Sequence, residues 1–332
     1  MRPDLSRSFP ILLHPAAKDY LWGGTRLNDD FSKGIASDVV AETWECSTHP
    51  DGVSIAASGE WVGMPLNEIL RAHPEYLGEH AHGATELPVL VKFIDAKRDL
   101  SVQVHPSDDF ARVHENVQNG KTEMWYVMDA EPDSRIAYGL HHTIGKDLFR
   151  KAIGDGTVGK YLQMVPVRKN DLFLIPPGTV HAIGAGCLIA EIQQSSNLTY
   201  RLFDYGRTDR NGNKRPLHLE KGLAVANLEA VPEPRQPMRL LRYSCGTASE
   251  LLCRCRYFQV ERVLVNTEQR REMAAFQASG ESFEIFLFLN GCGSMFCGND
   301  RIQFFKGDCV FVPAGTDGIR LHARTEFLRI SC

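Results

Sequence analysis

Lys169-Asn-Asp-Leu-Phe-Leu-Ile-Pro-Pro-Gly-Thr179 returns near the C-terminus as Lys306-Gly-Asp-Cys-Val-Phe-Val-Pro-Ala-Gly-Thr316. Both copies run from a polar turn through four apolar residues into a Pro-x-Gly turn, the pattern of a buried strand between two reversals. Two shorter echoes accompany this one. Phe258-Gln-Val-Glu261 resembles Val102-Gln-Val-His105, and Glu284-Ile-Phe-Leu-Phe288 resembles Glu123-Met-Trp-Tyr-Val127. The repetition predicts a mainly β chain built from two copies of one β-sandwich. Pro232-Glu-Pro234 and Pro237 read as the linker, dividing the chain into residues 1–235 and 236–332. Where the first copy has His105 and His181, these echoes set Glu261 and Gly318 in the second, so only the first carries a candidate site.

The chemistry gathers around Leu100-Ser-Val-Gln-Val-His-Pro106. In a strand, Val102 and Val104 point to one face while Ser101, Gln103 and His105 share the other. A hydroxyl, a carboxamide and an imidazole in a row make a poor lining for a core. Glu123 opens the next strand-like run, and His181 follows the Pro-Gly turn. Gln103, His105, Glu123 and His181 form a mixed nitrogen and oxygen set suited to zinc or another borderline divalent metal.

Several further polar residues stand out. Lys92 interrupts the apolar run Leu87–Ile94 and either snorkels to the surface or meets an anionic group. Lys121 shares the face of Glu123. Glu191 and Arg201 bracket a long polar turn, and Arg201 could pair with an acid for stability alone. Lys214 and Arg215, in Asp209-Arg-Asn-Gly-Asn-Lys-Arg215, read as surface charges. Short helices are expected over 65–72, after Pro106, within 145–159 and over 217–228.

The chain has 332 residues, 43% apolar and 23% charged, which is ordinary for a globular protein able to bury a good core. A net charge of −4, without runs of like charge, favours neither nucleic acid nor an anionic membrane. Met1-Arg-Pro-Asp-Leu-Ser-Arg7 lacks an apolar signal core, and no segment is long and apolar enough to span a bilayer. Nine scattered cysteines without a CxxC pair read as isolated thiols in a reducing cell. A cytoplasmic monomer or weak homodimer is the expectation.

Together these stretches resemble type I mannose-6-phosphate isomerase in its shorter bacterial form. The likeness runs from Leu21-Trp-Gly-Gly24 to the end of the chain. It is densest at 100–109, 120–126, 177–183 and Thr199-Tyr-Arg-Leu-Phe-Asp-Tyr205. It implies a double-cupin fold (two jelly-roll sandwiches with a few short helices) and one zinc ion per chain. The substrate implied is a small sugar phosphate, with mannose 6-phosphate and fructose 6-phosphate interconverted through an enediol. By position it assigns the metal to Gln103, His105, Glu123 and His181, and catalysis to Arg201. It adds Trp22, Glu42, Lys92, Ser101, Lys121 and Glu191 as active-site positions. Glu191, and after it Glu42, is the expected proton shuttle; Lys92 and Lys121 are expected to hold the phosphate.

Leu21 stands where longer members carry an acid, and Glu42-Thr-Trp-Glu-Cys46 departs from their pattern. Their large helical domain is reduced here to short segments. A zinc cupin acting on another hexose or hexose phosphate, and a non-catalytic sugar-binding cupin, are the alternatives.

Overall fold

Among the described residues the strands form three antiparallel sheets of ten, six and five strands. In the computed structural model those residues are 9–81, 83–115, 119–208, 212–234 and 236–332. The N-terminal reading over residues 1–7, part of the polar loop at 209–211 and position 235, where the two units were expected to divide, lie outside them.

The six-stranded sheet runs in the order Leu172–Ile175, Glu123–Ala130, Cys187–Gln194, Val89–Ala96, Glu42–Cys46 and Ala16–Lys18. Its central strands, Val89–Ala96 and Cys187–Gln194, are buried along their whole length. Both faces of the sheet are therefore covered, which is why Leu87–Ile94 reads as a nearly unbroken apolar run. One face carries Val91, Phe93, Met124, Tyr126 and Ile192 into a core shared with Phe258, Ile285, Phe311 and Leu328 of the C-terminal sheet. The other face turns Ile94, Trp125, Val127 and Ile189 toward Ile136 and Ile183 of the five-stranded sheet.

That third sheet runs Tyr200–Phe203, Val102–Val104, His181–Ile183, Arg135–Leu140, Leu162–Pro166. Its outer face, with Val102, Val104, Ala182 and Leu202, packs against Phe149 and Ile153 of the helix Lys146–Gly154 and Leu223 of the helix Leu219–Val225. The inner face is left for polar side chains. His181 pairs with Gln103, and Gln103 with Arg201, so these three point the same way.

The ten-stranded sheet repeats the plan of the six-stranded one. Its run Cys309–Val312, Glu284–Cys297, Ile319–Ser331, Gln259–Asn266, Thr247–Arg254, Arg242–Ser244 matches the order above strand for strand. Glu284 pairs with Val312 as Glu123 pairs with Ile175, in agreement with two of the sequence echoes. Even the irregularities coincide: the register shifts between Trp44 and Cys46, and again between Leu251 and Cys253. Glu284–Cys297 and Ile319–Ser331 are long enough to bend and serve both layers of the second sandwich. Gly291, beside the register shift after Phe288, has φ +80, and a Cβ there would meet the Arg324 carbonyl oxygen at 2.0 Å.

The remaining echo is corrected. Gln259–Asn266 takes the place of Val89–Ala96, since Glu261 pairs with Arg329 as Lys92 pairs with Glu191. Glu261 therefore corresponds to Lys92, not to His105. The counterpart of His105 is Ser279, whose carbonyl accepts from Gly315 N as the His105 carbonyl accepts from Gly178 N. A four-residue echo holding no turn has nothing to fix its register, which here is set by pairing with distant strands. Two strands from early in the chain, Ile11–His14 and Ile55–Ala56, complete the C-terminal sheet: Ile11–His14 pairs onto Cys309–Val312, and the two pair with each other.

Candidate active site

The two sandwich layers of the first half bring the predicted residues together. His105 leaves the end of Val102–Val104, and His181 opens the neighbouring strand. Each ring is anchored from behind: His105 Nδ1 lies 2.9 Å from the Leu198 carbonyl and His181 Nδ1 2.8 Å from the Thr179 carbonyl. A nitrogen facing a carbonyl must carry the ring proton, so both Nε2 atoms present lone pairs inward. They stand 3.1 Å apart. Burial, then the Lys121 charge, pushes the His105 pKa down to about 3. Burial lowers that of His181 as well. Both rings are neutral near pH 7.

Glu123 reaches the same point from the opposite sheet. Oε1 is 3.2 Å from His105 Nε2, and Oε2 is 3.7 Å from His181 Nε2. Both carboxylate oxygens are buried without a hydrogen bond of good geometry. Burial opposes its charge, but Lys121 and then His105 outweigh it and hold the carboxyl well below its usual range. Gln103 places its amide 3.3 Å from His181 Nε2. Two facing lone pairs and a buried carboxylate form an electron-rich cluster that calls for a cation. Donors about 2.0–2.1 Å from a tetrahedral ion stand roughly 3.3 Å from one another, which is close to the spacing found here. His105, Glu123 and His181 therefore fit a divalent metal, and among the described residues no other group of His, Cys, Asp or Glu does so. Gln103 could join them through its amide oxygen, since amide ends exchange by a half-turn.

Beside this cluster the six-stranded sheet lays down alternating charge. Lys121 is ion-paired with Glu123 and is 3.8 Å from Glu191 Oε1. Burial, then the Glu123 charge, pushes the Glu191 carboxyl up to about 8. Lys92, directly opposite Glu191 in the sheet, is 3.5 Å from Glu42 Oε2 and lies over the Trp44 ring. Burial works against its ammonium, yet Glu42, Glu191 and Glu123 keep its pKa above the usual value. Glu42 is already engaged, accepting 2.8 Å from Trp44 Nε1. Lys121, Glu191, Lys92 and Glu42 line a cavity of about 330 Å³, large enough for a hexose phosphate, with Trp22, Ser101 and Arg201 also on its walls.

The sequence model of phosphomannose isomerase type I, catalytic domain, matches residues 11–139. Mannose-6-phosphate isomerase ManA of Bacillus subtilis (strain 168) is 35% identical over 317 residues, covering 96% of this chain and 97% of that protein. The chain belongs to the mannose-6-phosphate isomerase family. The family's mannose-6-phosphate isomerase from Streptococcus mutans is 34% identical, with 92% of each chain covered. The crystal structure of the Bacillus subtilis mannose 6-phosphate isomerase superposes with a TM-score of 0.88 at 32% identity, over 98% of this chain and 100% of that one. Phosphomannose isomerase of Salmonella typhimurium, at 14% identity and a TM-score of 0.72, shares the fold.

For this family member the structure places every predicted site residue around one cavity or its adjoining donor cluster. Trp22 is buried in the wall beside Tyr20. Arg201 Nε donates to Ser101 Oγ at 3.3 Å, and its Nη1 to the Pro216 carbonyl at 3.1 Å. Among the described residues no acid pairs with it directly. Sequence reasoning missed Arg215 and His218. Both line the cavity, whereas by the composition of its loop Arg215 reads as a surface charge. Its partner Asp204 lies eleven positions away, just past the strand Tyr200–Phe203, and no local pattern links the two. Lys214 is exposed as expected.

Proposed function

We propose that this protein is a zinc-dependent aldose–ketose isomerase that interconverts mannose 6-phosphate and fructose 6-phosphate in the cytoplasm. The observation that carries the reading is the neutral His105/His181 pair closing on buried Glu123, with a carboxyl of raised pKa, Glu191, on the adjoining strand. Nitrogen and oxygen donors with two imidazoles favour zinc over magnesium or calcium. Zinc held by His105, Glu123, His181 and Gln103 would polarise the sugar oxygens as a Lewis acid.

The chain's own groups supply the rest. Moving the carbonyl from C1 to C2 requires one proton to pass from the C2 hydroxyl to the C1 oxygen, while a second leaves C2 and is delivered to C1. Glu191 suits both steps, because a carboxyl with a pKa near neutrality accepts and returns a proton with little loss either way. Glu42 is second, held as it is by Trp44 and Lys92. Lys121 beside Glu191 stabilises the carboxylate form while the proton is away. Arg201 contributes fixed positive charge where the enediolate develops. Trp22 and the apolar layer behind it keep water from the intermediate. Catalysis is assigned to residues 1–235 and a supporting role to 236–332, with Ile11–His14 and Ile55–Ala56 tying the second unit to the first.

A coupled assay for fructose 6-phosphate from mannose 6-phosphate, before and after chelation and zinc return, tests the reading. Activity removed by the chelator and restored by zinc is the expected result. A zinc-loaded, folded protein without turnover would reject it.

A further inference from the structure

The two lysines of the cavity both stand against carboxylates: Lys92 against Glu42, and Lys121 against Glu123 and Glu191. Neither is free to neutralise a doubly charged phosphate, the role expected of them from sequence. The wall built from Arg201, Arg215 and His218 is different. Among the described residues Arg201 donates only to the uncharged oxygens of Ser101 and Pro216. Arg215 Nε and Nη2 donate to the two Asp204 oxygens at 2.8 and 2.6 Å, and Arg207 also binds Asp204 Oδ1. The neighbouring Asp99 gives Arg207 its backbone carbonyl, while its carboxylate accepts from Ala185 N. Among the described residues Arg215 and Arg207 thus share the Asp204 carboxylate, while Arg201 stands beside them without a carboxylate of its own. Burial and then Arg215 lower the Arg201 pKa, a sign that the two cations crowd each other. A phosphate monoester near neutral pH carries close to two negative charges and offers three acceptor oxygens to such forks.

We propose that Arg215, positioned by Asp204 and standing beside Arg201 on the cavity wall, grips the substrate phosphate and makes the enzyme prefer a phosphorylated hexose to the free sugar. This rests on the sugar-phosphate reading above. Ser101 lies two residues before Gln103 on the same strand face, so an anion held near Ser101, Arg201 and Arg215 sits apart from the metal cluster. That separation suits a sugar whose phosphate is at C6 and whose reacting carbons are C1 and C2. Asp204 does not touch the substrate; it fixes the fork of Arg215.

The test compares wild type, Arg215→Met and Arg215→Lys, all zinc-loaded and checked for fold by circular dichroism. Arg215→Met should raise KM for mannose 6-phosphate about 10- to 100-fold while kcat stays within about threefold, as for loss of a charged hydrogen-bonding group that binds ground and transition states alike. Arg215→Lys should fall between. Inorganic phosphate titrated calorimetrically should bind Arg215→Met at least about tenfold more weakly than wild type. An unchanged KM with unchanged phosphate affinity, or a lower kcat at unchanged KM, would overturn the assignment. The phosphate titration does not depend on turnover. If wild type binds phosphate through Arg215 but leaves mannose 6-phosphate unchanged, the proposed reaction fails and the anion site stands.

Discussion

Arg329 stands in the C-terminal sheet where Glu191 stands in the six-stranded sheet. Glu191 lies between Lys92 and Trp125; Arg329 lies between Glu261 and Phe286 in the same register. The charges of the central pair are thereby reversed. The second copy keeps Glu284 in the place of Glu123, but it has Ser279 and Gly318 where the first has its histidines. Without imidazoles it has no nitrogen donors for a metal. A buried carboxylate still needs a cation, and Arg329 supplies it, with Nε 2.8 Å from Glu284 Oε2 and Nη1 3.8 Å from Glu261 Oε2. One sandwich leaves its cation position to an ion, and the other fills it with its own side chain.

Arg329→Met should therefore destabilise the protein without touching the active site. Burial already raises the Glu284 pKa, and losing the guanidinium leaves that carboxyl unpaired. The expected cost is about 3 kcal/mol, the lower end for breaking a buried pair, because Arg329 keeps some exposure. Urea unfolding measures it. Activity per folded molecule and zinc content should match wild type.

His105→Ala and His181→Ala should each lose the metal and reduce turnover by roughly 10³-fold, since Lewis-acid polarisation is worth several kcal/mol. Metal content by mass spectrometry and the coupled assay report the two losses separately. For wild type, free zinc at about 100 times its Kd should raise the unfolding free energy by about 2.7 kcal/mol. Either alanine variant should show little of this gain. Full zinc occupancy in both variants would remove the histidines from the metal site.

The donor cluster was legible because strand alternation at 101–105 put three polar side chains on one face, and a Pro-Gly turn fixed His181 at the start of its strand. Lys92 was visible as a charge inside an apolar run and Glu191 as the acid at the start of a long polar turn, and the sheet sets them opposite each other. The echo of 169–179 in 306–316 was readable because turns bracket it. Ser279 was not, since its relation to His105 lies in matching carbonyl bonds to Gly315 and Gly178 that leave no mark in residue type. Arg215 was hidden by polar neighbours, and only its contact with Asp204 turns it from a surface charge into a wall of the cavity. The pairing of Ile11–His14 with Cys309–Val312 joins opposite ends of the chain, beyond the reach of any local pattern.

Glu191→Gln should lower kcat by about 10²- to 10⁴-fold, the span for removing a general acid–base group, while keeping the metal. Glu42→Gln should cost less, because Glu42 is tied to Trp44 and Lys92, whereas Glu191 keeps a buried oxygen without a hydrogen bond. Arg201→Ala should also lose activity and retain zinc. The coupled assay run with a zinc determination on each variant ranks the three. A Glu42 variant weaker than the Glu191 variant would exchange the two carboxylates in the mechanism.

In the metal-free protein the stability contributed by Glu191 should decline as pH rises. Its carboxyl is pushed from 4.5 up to about 8 by burial and by Glu123. In the unfolded chain it ionises near the lower value, so between the two the folded state holds a proton that the unfolded state releases. The stabilisation from this group is complete below about 4.5, declines through the interval and is gone above about 8. The buried neutral rings of His105 and His181 work the other way below about 6.5. The readout is therefore the urea midpoint of chelated wild type relative to that of Glu191→Gln, and this difference should fall across that range. Glu191→Gln cannot ionise at that position, so its midpoints lack this decline. Parallel slopes for the two proteins would mean that Glu191 is already ionised in the folded state, and would leave it a poor proton shuttle.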